Sequence, residues 1–109
     1  MAAQQLLQLD VPPTAIFASS DYMAAGVMKA AIQLQIAVPE QLSVCGFDDD
    51  PIARFLTPTL TTIRHPLAAL AESAGELLIH QLKKRDSDYE VEQLHPQLVL
   101  RESTRAVNS

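Results

Sequence analysis

Two short apolar runs separated by one helix-sized segment constrain this chain more than any other feature. Ala15-Ile16-Phe17-Ala18 lies between Pro13 and Ser19-Ser20-Asp21, and Leu42-Ser43-Val44-Cys45-Gly46-Phe47 follows Pro39. Runs of this length closed by turn-forming residues read as strands buried on both faces of a sheet. Between them, Ser19 and Ser20 offer an N-cap, and Asp21 puts negative charge in the first turn of a helix expected to run to about Ile36. The segment 15–47 therefore reads as a β-α-β unit with a right-handed crossover, its two strands parallel neighbours.

The rest of the chain extends that pattern. Gln4 to Leu9 reads as the end of a helix stopped by Asp10-Val11-Pro12-Pro13. After the acidic turn Asp48-Asp49-Asp50-Pro51, a short helical stretch is expected at 52–56, and the β-branched segment Leu60-Thr61-Thr62-Ile63-Arg64 suggests a third strand. Pro66 suits a first helical position, and Leu67, Leu70, Ala71, Ala74, Leu77, Leu78 and Leu82 then recur at helical spacing. A polar loop is expected over 85–93, and a last strand over 97–101.

At 109 residues the chain has room for one domain, and with 48% of its residues apolar it should bury a core. Its net charge of −5, with no basic run longer than Lys83-Lys84-Arg85, gives no footprint for binding a phosphate backbone. No signal peptide or run of 18 apolar residues is present, so a membrane partner is not expected. The single cysteine, Cys45, lies in an apolar run and reads as a small buried hydrophobe; a chain without disulfides fits a cytoplasmic location.

The candidate chemistry lies where the strands end. Asp21 and Asp48 each follow a predicted parallel strand, and open α/β sheets bind ligands at that carboxyl edge. A carboxylate there can accept hydrogen bonds from the hydroxyls or ring N–H groups of a small polar ligand. Asp21 can equally be a residue that balances the helix macrodipole, whereas Asp48 reads as a ligand contact. Asp49 and Asp50 read as an Asx-type turn ahead of Pro51. An Mg²⁺-dependent phosphoacceptor enzyme would also use acidic residues at this edge. However, no lysine follows either the 61–63 or the 98–100 strand, as such a site needs for phosphate. His65 and His95, each before a proline, read as structural, and no phosphate loop, serine elbow or HExxH motif is present. Neither a catalytic residue, a cofactor nor a metal is expected.

Four segments in order, Ala15 to Ala24, Val38 to Asp49, Leu56 to Pro66 and Leu98 to Thr104, resemble the C-terminal third of LacI/GalR-family transcriptional regulators. The resemblance implies a parallel-sheet α/β fold, a partial periplasmic-binding-protein-like (type I) C-terminal subdomain with helices on both faces. Residues 1–109 would form a single fragment of the effector-binding and dimerisation domain. It would hold one wall of a cleft for a sugar or nucleobase effector, with operator DNA bound by a helix-turn-helix headpiece absent from this chain.

By position, the resemblance makes Asp48 the effector-contacting acid and puts Ser20 where many members carry a ligand-touching asparagine. Leu67 falls where some members place an aromatic or apolar residue against the effector. The helix after Asp21 would supply a homodimer contact through Ala25, Met28, Lys29 and Ile32, joined by Arg54 and Phe55, with simple core packing an equal alternative for Met28. Residues 67–92 would pack on the other subdomain of a complete regulator, so this chain is expected to self-associate or to fold that helix onto its own sheet. A stand-alone small-molecule binding or assembly module is the alternative.

Overall fold

In the computed structural model, residues 2–83 and 94–107 are described; the loop expected over 85–93 lies outside them. The chain forms two compact units, Met1–Arg64 with Leu98–Ser109, and His65–Gln97.

In the first unit, α1 (Ala2–Leu7) is followed by β1 (Ala15–Phe17), α2 (Asp21–Gln33), β2 (Ser43–Cys45), α3 (Ile52–Phe55) and β3 (Thr62–Arg64). The β-α-β unit forms as its apolar runs and caps predict, but β1 is not buried on both faces as expected: Ala15 and Phe17 are exposed and Ile16 is half-buried. β1 and β2 pair in parallel, with Ala15 opposite Ser43, Ile16 opposite Val44 and Phe17 opposite Cys45. A parallel bridge from Cys45 to Thr61 joins β2 to the approach of β3, and the ladder continues through Gly46 N–H to the Thr61 carbonyl and Asp48 N–H to the Ile63 carbonyl, both 2.9 Å. β4 (Gln97–Val99) pairs with β3.

α2 packs on β2, with α1 and α3 against α2. Its inner positions Ala24, Val27, Met28, Ala30 and Ala31 join Leu42, Val44, Ala53 and Leu60 in the core. Leu42, Val44 and Leu60 are each wholly buried, worth roughly 1.5–3 kcal/mol apiece in apolar transfer. Ser20 caps α2, its Oγ accepting from Met23 N–H at 3.1 Å.

The helix stops at Gln33, three residues short of the expected end, because the chain turns into a Schellman cap. Gln35 takes φ 58°, its N–H donates to the Ile32 carbonyl at 3.1 Å, and Ile36 N–H donates to the Ala31 carbonyl at 2.8 Å. Ile36, half-buried, packs against the core instead of extending the helix. The other elements start or stop within a few residues of expectation, and α1 lies about half a turn earlier than expected.

β2 is flanked by two different segments along one side. Near its start Val44 N–H donates to the Ser103 carbonyl at 2.9 Å, and beyond it Gly46 pairs with Thr61. Ser103, fully buried, fills the fork: its Oγ accepts from Thr61 N–H at 2.8 Å and donates to the Val44 carbonyl at 2.6 Å. Thr104 and Glu102 fasten the same segment, Thr104 by a hydroxyl contact with Thr61 and Glu102 by accepting from the Thr59 N–H and hydroxyl.

In the second unit, α4 (Leu67–Leu82) forms as its leucine spacing predicts. None of its residues is buried, and Leu67, Leu78 and Leu82 are each more than half exposed.

Two substitutions test this packing by chemical denaturation. Ser103→Ala leaves the Thr61 amide and the Val44 carbonyl without their partner and should cost about 1–3 kcal/mol per stranded group. In Gly46→Ala the new methyl would lie 2.3 Å from Asp21 Oδ1 and 2.9 Å from Leu60 Cδ2, so an added cost of about 1–3 kcal/mol is expected. A midpoint unchanged in both variants would show that the fork and the close approach are not under tension.

Candidate functional site at the carboxyl edge

One side chain ties the carboxyl ends of β1 and β2 to the start of β3. Asp21 is 1% exposed; its Oδ1 accepts from the Thr62 hydroxyl and its Oδ2 from Asp50 N–H, both at 2.6 Å. Its own N–H donates to the Phe47 carbonyl at 3.1 Å. Asp21 thus does more than balance the helix dipole: it ties the β1-α2 turn to the loop after β2 and to β3. Both of its oxygens are engaged inside the protein.

Asp48 is exposed, as a ligand contact must be. Its backbone is held at φ 110°, where L side chains are strained, and its N–H is locked onto Ile63. Ser20 is half-buried at the adjacent strand end, its oxygen used by the α2 cap. The structure therefore brings Ser20, Asp21 and Asp48 to one edge. Leu67, the fourth expected site residue, belongs to the second unit and is 67% exposed.

Asp49 and Asp50, expected to act alike, differ. Asp50 makes the local bond, its Oδ1 accepting from Ile52 N–H at 3.1 Å. Asp49 instead takes a left-handed φ of 54° and turns its carboxylate onto two arginines, Arg64 Nε at 2.8 Å and Arg101 Nη2 at 2.7 Å. Burial acts to raise the Asp49 carboxyl, but the two guanidinium hydrogen bonds outweigh it and hold the group below the usual carboxylate range. Arg101 is fixed in turn, Nη1 donating to the Leu60 carbonyl at 3.0 Å. Thr62, Arg64 and Arg101 carry no motif that marks them in the sequence; the faint signal is one arginine at the end of each otherwise uncharged strand.

Other expected chemistry finds a structural place. Burial first, and the negative charge of Asp21 second, push the Cys45 thiol up, so it stays protonated at neutral pH. Among the described residues no group of three or more His, Cys, Asp or Glu is disposed to hold a metal ion, and no helix is long and apolar enough to cross a membrane. A hollow of about 630 Å³ lies beside β1, lined by Leu6, Ile16, Phe17, Tyr22, Met23 and Val27 among others. Its walls are apolar and exclude Asp48, so the polar chemistry lies elsewhere.

Of the expected dimer residues, Met28 takes the alternative place in the core, where it is 4% exposed. Lys29, Arg54, Ile32 and Phe55 are exposed, the last two by 70% and 84%, and Ala25 is half-buried. Met28 and Ile32 nevertheless border a shallow hollow of about 230 Å³ with Ile36, Val38 and Pro58.

Residues 1–104 match the model of the periplasmic binding protein-like domain. The chain is 36% identical over 108 residues to the HTH-type transcriptional repressor PurR of Vibrio vulnificus, covering 99% of this chain and 32% of that protein. It is 40% identical over 103 residues to the ribose operon repressor of Haemophilus influenzae, covering 94% and 31% respectively. A LacI family transcriptional regulator from Lactobacillus casei, solved with bound sucrose, superposes with a TM-score of 0.77 at 34% identity, over 94% of this chain and 38% of that one. The chain thus spans about a third of the length of the curated relatives it matches. With its parallel β-α-β unit and the carboxyl-edge loop in place, it belongs to the periplasmic-binding-protein-like effector-binding domain of LacI/GalR-family transcriptional regulators.

Proposed function

We propose that this chain supplies one wall of an effector site and a dimer surface in a LacI/GalR-type regulator. The observation that carries the reading is Asp48: an exposed carboxylate at the end of a central strand, held at φ 110°. A strained backbone at a surface residue is retained only where surrounding structure enforces it, and such positions concentrate at ligand sites. Asp48 accepts hydrogen bonds from sugar hydroxyls or from the ring N–H of a nucleobase, and the Ser20 hydroxyl donates from the neighbouring strand end. Asp21 acts behind them as a positioning residue. Leu67 is the apolar contact that the family resemblance adds.

The sucrose bound to the Lactobacillus casei regulator and the name of the Haemophilus repressor favour a sugar, and a nucleobase is the second class to screen. On this reading the effector shifts the population of domain arrangements, and that shift changes operator affinity through a DNA-binding headpiece outside this chain. The protein works in the cytoplasm and performs no catalysis.

Dimerisation is read from Ile32, Phe55, Lys29, Arg54 and Ala25. Two large apolar side chains this exposed, Ile32 beside a hollow, are the kind of surface that a second copy covers. The exposed leucines of α4 call for cover of their own in the assembled regulator.

Calorimetric screening of ribose, glucose, sucrose, lactose, adenine and guanine against the complete regulator should find a ligand whose affinity falls at least tenfold in Asp48→Ala, the loss of a charge-assisted hydrogen bond of about 1.5–3 kcal/mol. Asp48→Gly should lose the same affinity yet be more stable than Asp48→Ala by about 1 kcal/mol, since glycine tolerates the positive φ. Full affinity in both variants removes Asp48 from the site. Separately, Phe55→Asp and Ile32→Asp should shift the protein from dimer toward monomer in sedimentation velocity without lowering its melting temperature by more than a few degrees. A dimer that persists in both places the interface elsewhere.

A further inference from the structure

We propose that Asp49 is a positioning residue that couples the loop bearing Asp48 to both points where the chain passes between its two units. The chain leaves the first unit after Arg64 and re-enters it at Leu98. The Asp49 carboxylate holds Arg64, the last residue before the first passage, through Oδ2 at 2.8 Å, and Arg101, just inside the returning strand segment, through Oδ1 at 2.7 Å. One side chain, 4% exposed, thus grips both passages next to the residue read as the effector contact.

The grip has a rigid base and a softer arm. Asp49 N–H donates to Thr62 Oγ1 at 3.3 Å, and that hydroxyl donates to the buried Asp21, so the loop is anchored from within. Arg101 is 13% exposed and is also bonded to the Leu60 carbonyl, while its own N–H donates to Thr61 Oγ1 at 2.9 Å. Arg64 is 47% exposed and is the arm that moves more easily. Planar guanidinium groups on a nearly buried carboxylate fix direction as well as distance. Any displacement of Asp48 that rotates the 48–50 backbone must drag the Asp49 carboxylate, and with it the two arginines. The purpose assigned to this coupling rests on the effector reading; the coupling itself and its test do not.

Amide hydrogen exchange on the ligand-free 109-residue chain tests the coupling. In Asp49→Asn the amides of His65 and Leu67 and those of Leu98 to Arg101 should exchange together about tenfold faster, while Ile16 and Val44 keep their protection. In Arg64→Gln the effect should run the other way, with faster exchange at Asp48, Asp49 and Asp50. Adding Arg64→Gln to Asp49→Asn should then change the 48–50 amides no further. Passage amides unaltered in Asp49→Asn with Val44 still protected overturn the proposal, as do 48–50 amides unaltered in Arg64→Gln. If Asp49→Asn loses Val44 protection and unfolds, Arg64→Gln alone is decisive: faster exchange at 48–50 supports the coupling and unaltered exchange overturns it. A ligand screen that finds no effector leaves every one of these results in force.

Discussion

The Asp21 carboxylate accepts from the Thr62 hydroxyl and the Asp50 amide while its own amide is held by Phe47, and the geometry of the whole carboxyl edge follows from that. A carboxylate with 1% exposure is tolerable only when its oxygens are satisfied by protein donors, because an unpaired buried charge costs several kcal/mol. The donors come from the start of β3 and from the loop after β2, so satisfying the charge also sets their relative position. Gly46 belongs to the same constraint, since any side chain there would occupy the space of Asp21 Oδ1. The loop from Asp48 to Asp50 is then stretched between this inner anchor and the arginines outside, which explains how two consecutive aspartates can be held at positive φ.

Much of this is legible along the chain because it is local. The apolar runs at 15–18 and 42–47, the serine cap and the prolines act over a few residues, and each forms what its neighbours favour. The Schellman turn is not legible, since glutamine at position 35 carries none of the left-handed preference that glycine would advertise; the turn is imposed by the packing of Ile36. Asp21 reads from sequence as a helix-start charge because its partners lie 29 and 41 positions downstream. Asp49 reads as a local turn residue for the same reason, its arginines being 15 and 52 positions away. Asp50, whose partner is two residues on, behaves as the local rule says.

The site itself is half visible in the sequence. A strand-end aspartate at 48 is a position at which α/β sheets meet ligands, and its exposure agrees with that. The division of labour within 48–50, one aspartate exposed, one ion-paired and one bonded to the local turn, cannot be read from a run of like residues. Three adjacent aspartates look equivalent until the strands beside them are placed. Met28 shows the converse: core and outer surface are equally open to it in the sequence, and the packing of α2 on β2 turns it inward.

The Ser103 fork bears on the order in which the molecule assembles. Val44 is 59 positions ahead of the serine that completes its hydrogen bonding, and all of α4 lies between them. As the chain is made from its N-terminus, β1, α2 and β2 can dock early through contacts close in sequence, but the start of β2 keeps an unsatisfied edge until residues 101–105 arrive. This edge cannot close before those residues are made, so an emerging chain carries an open strand edge for the whole time that α4 is being synthesised.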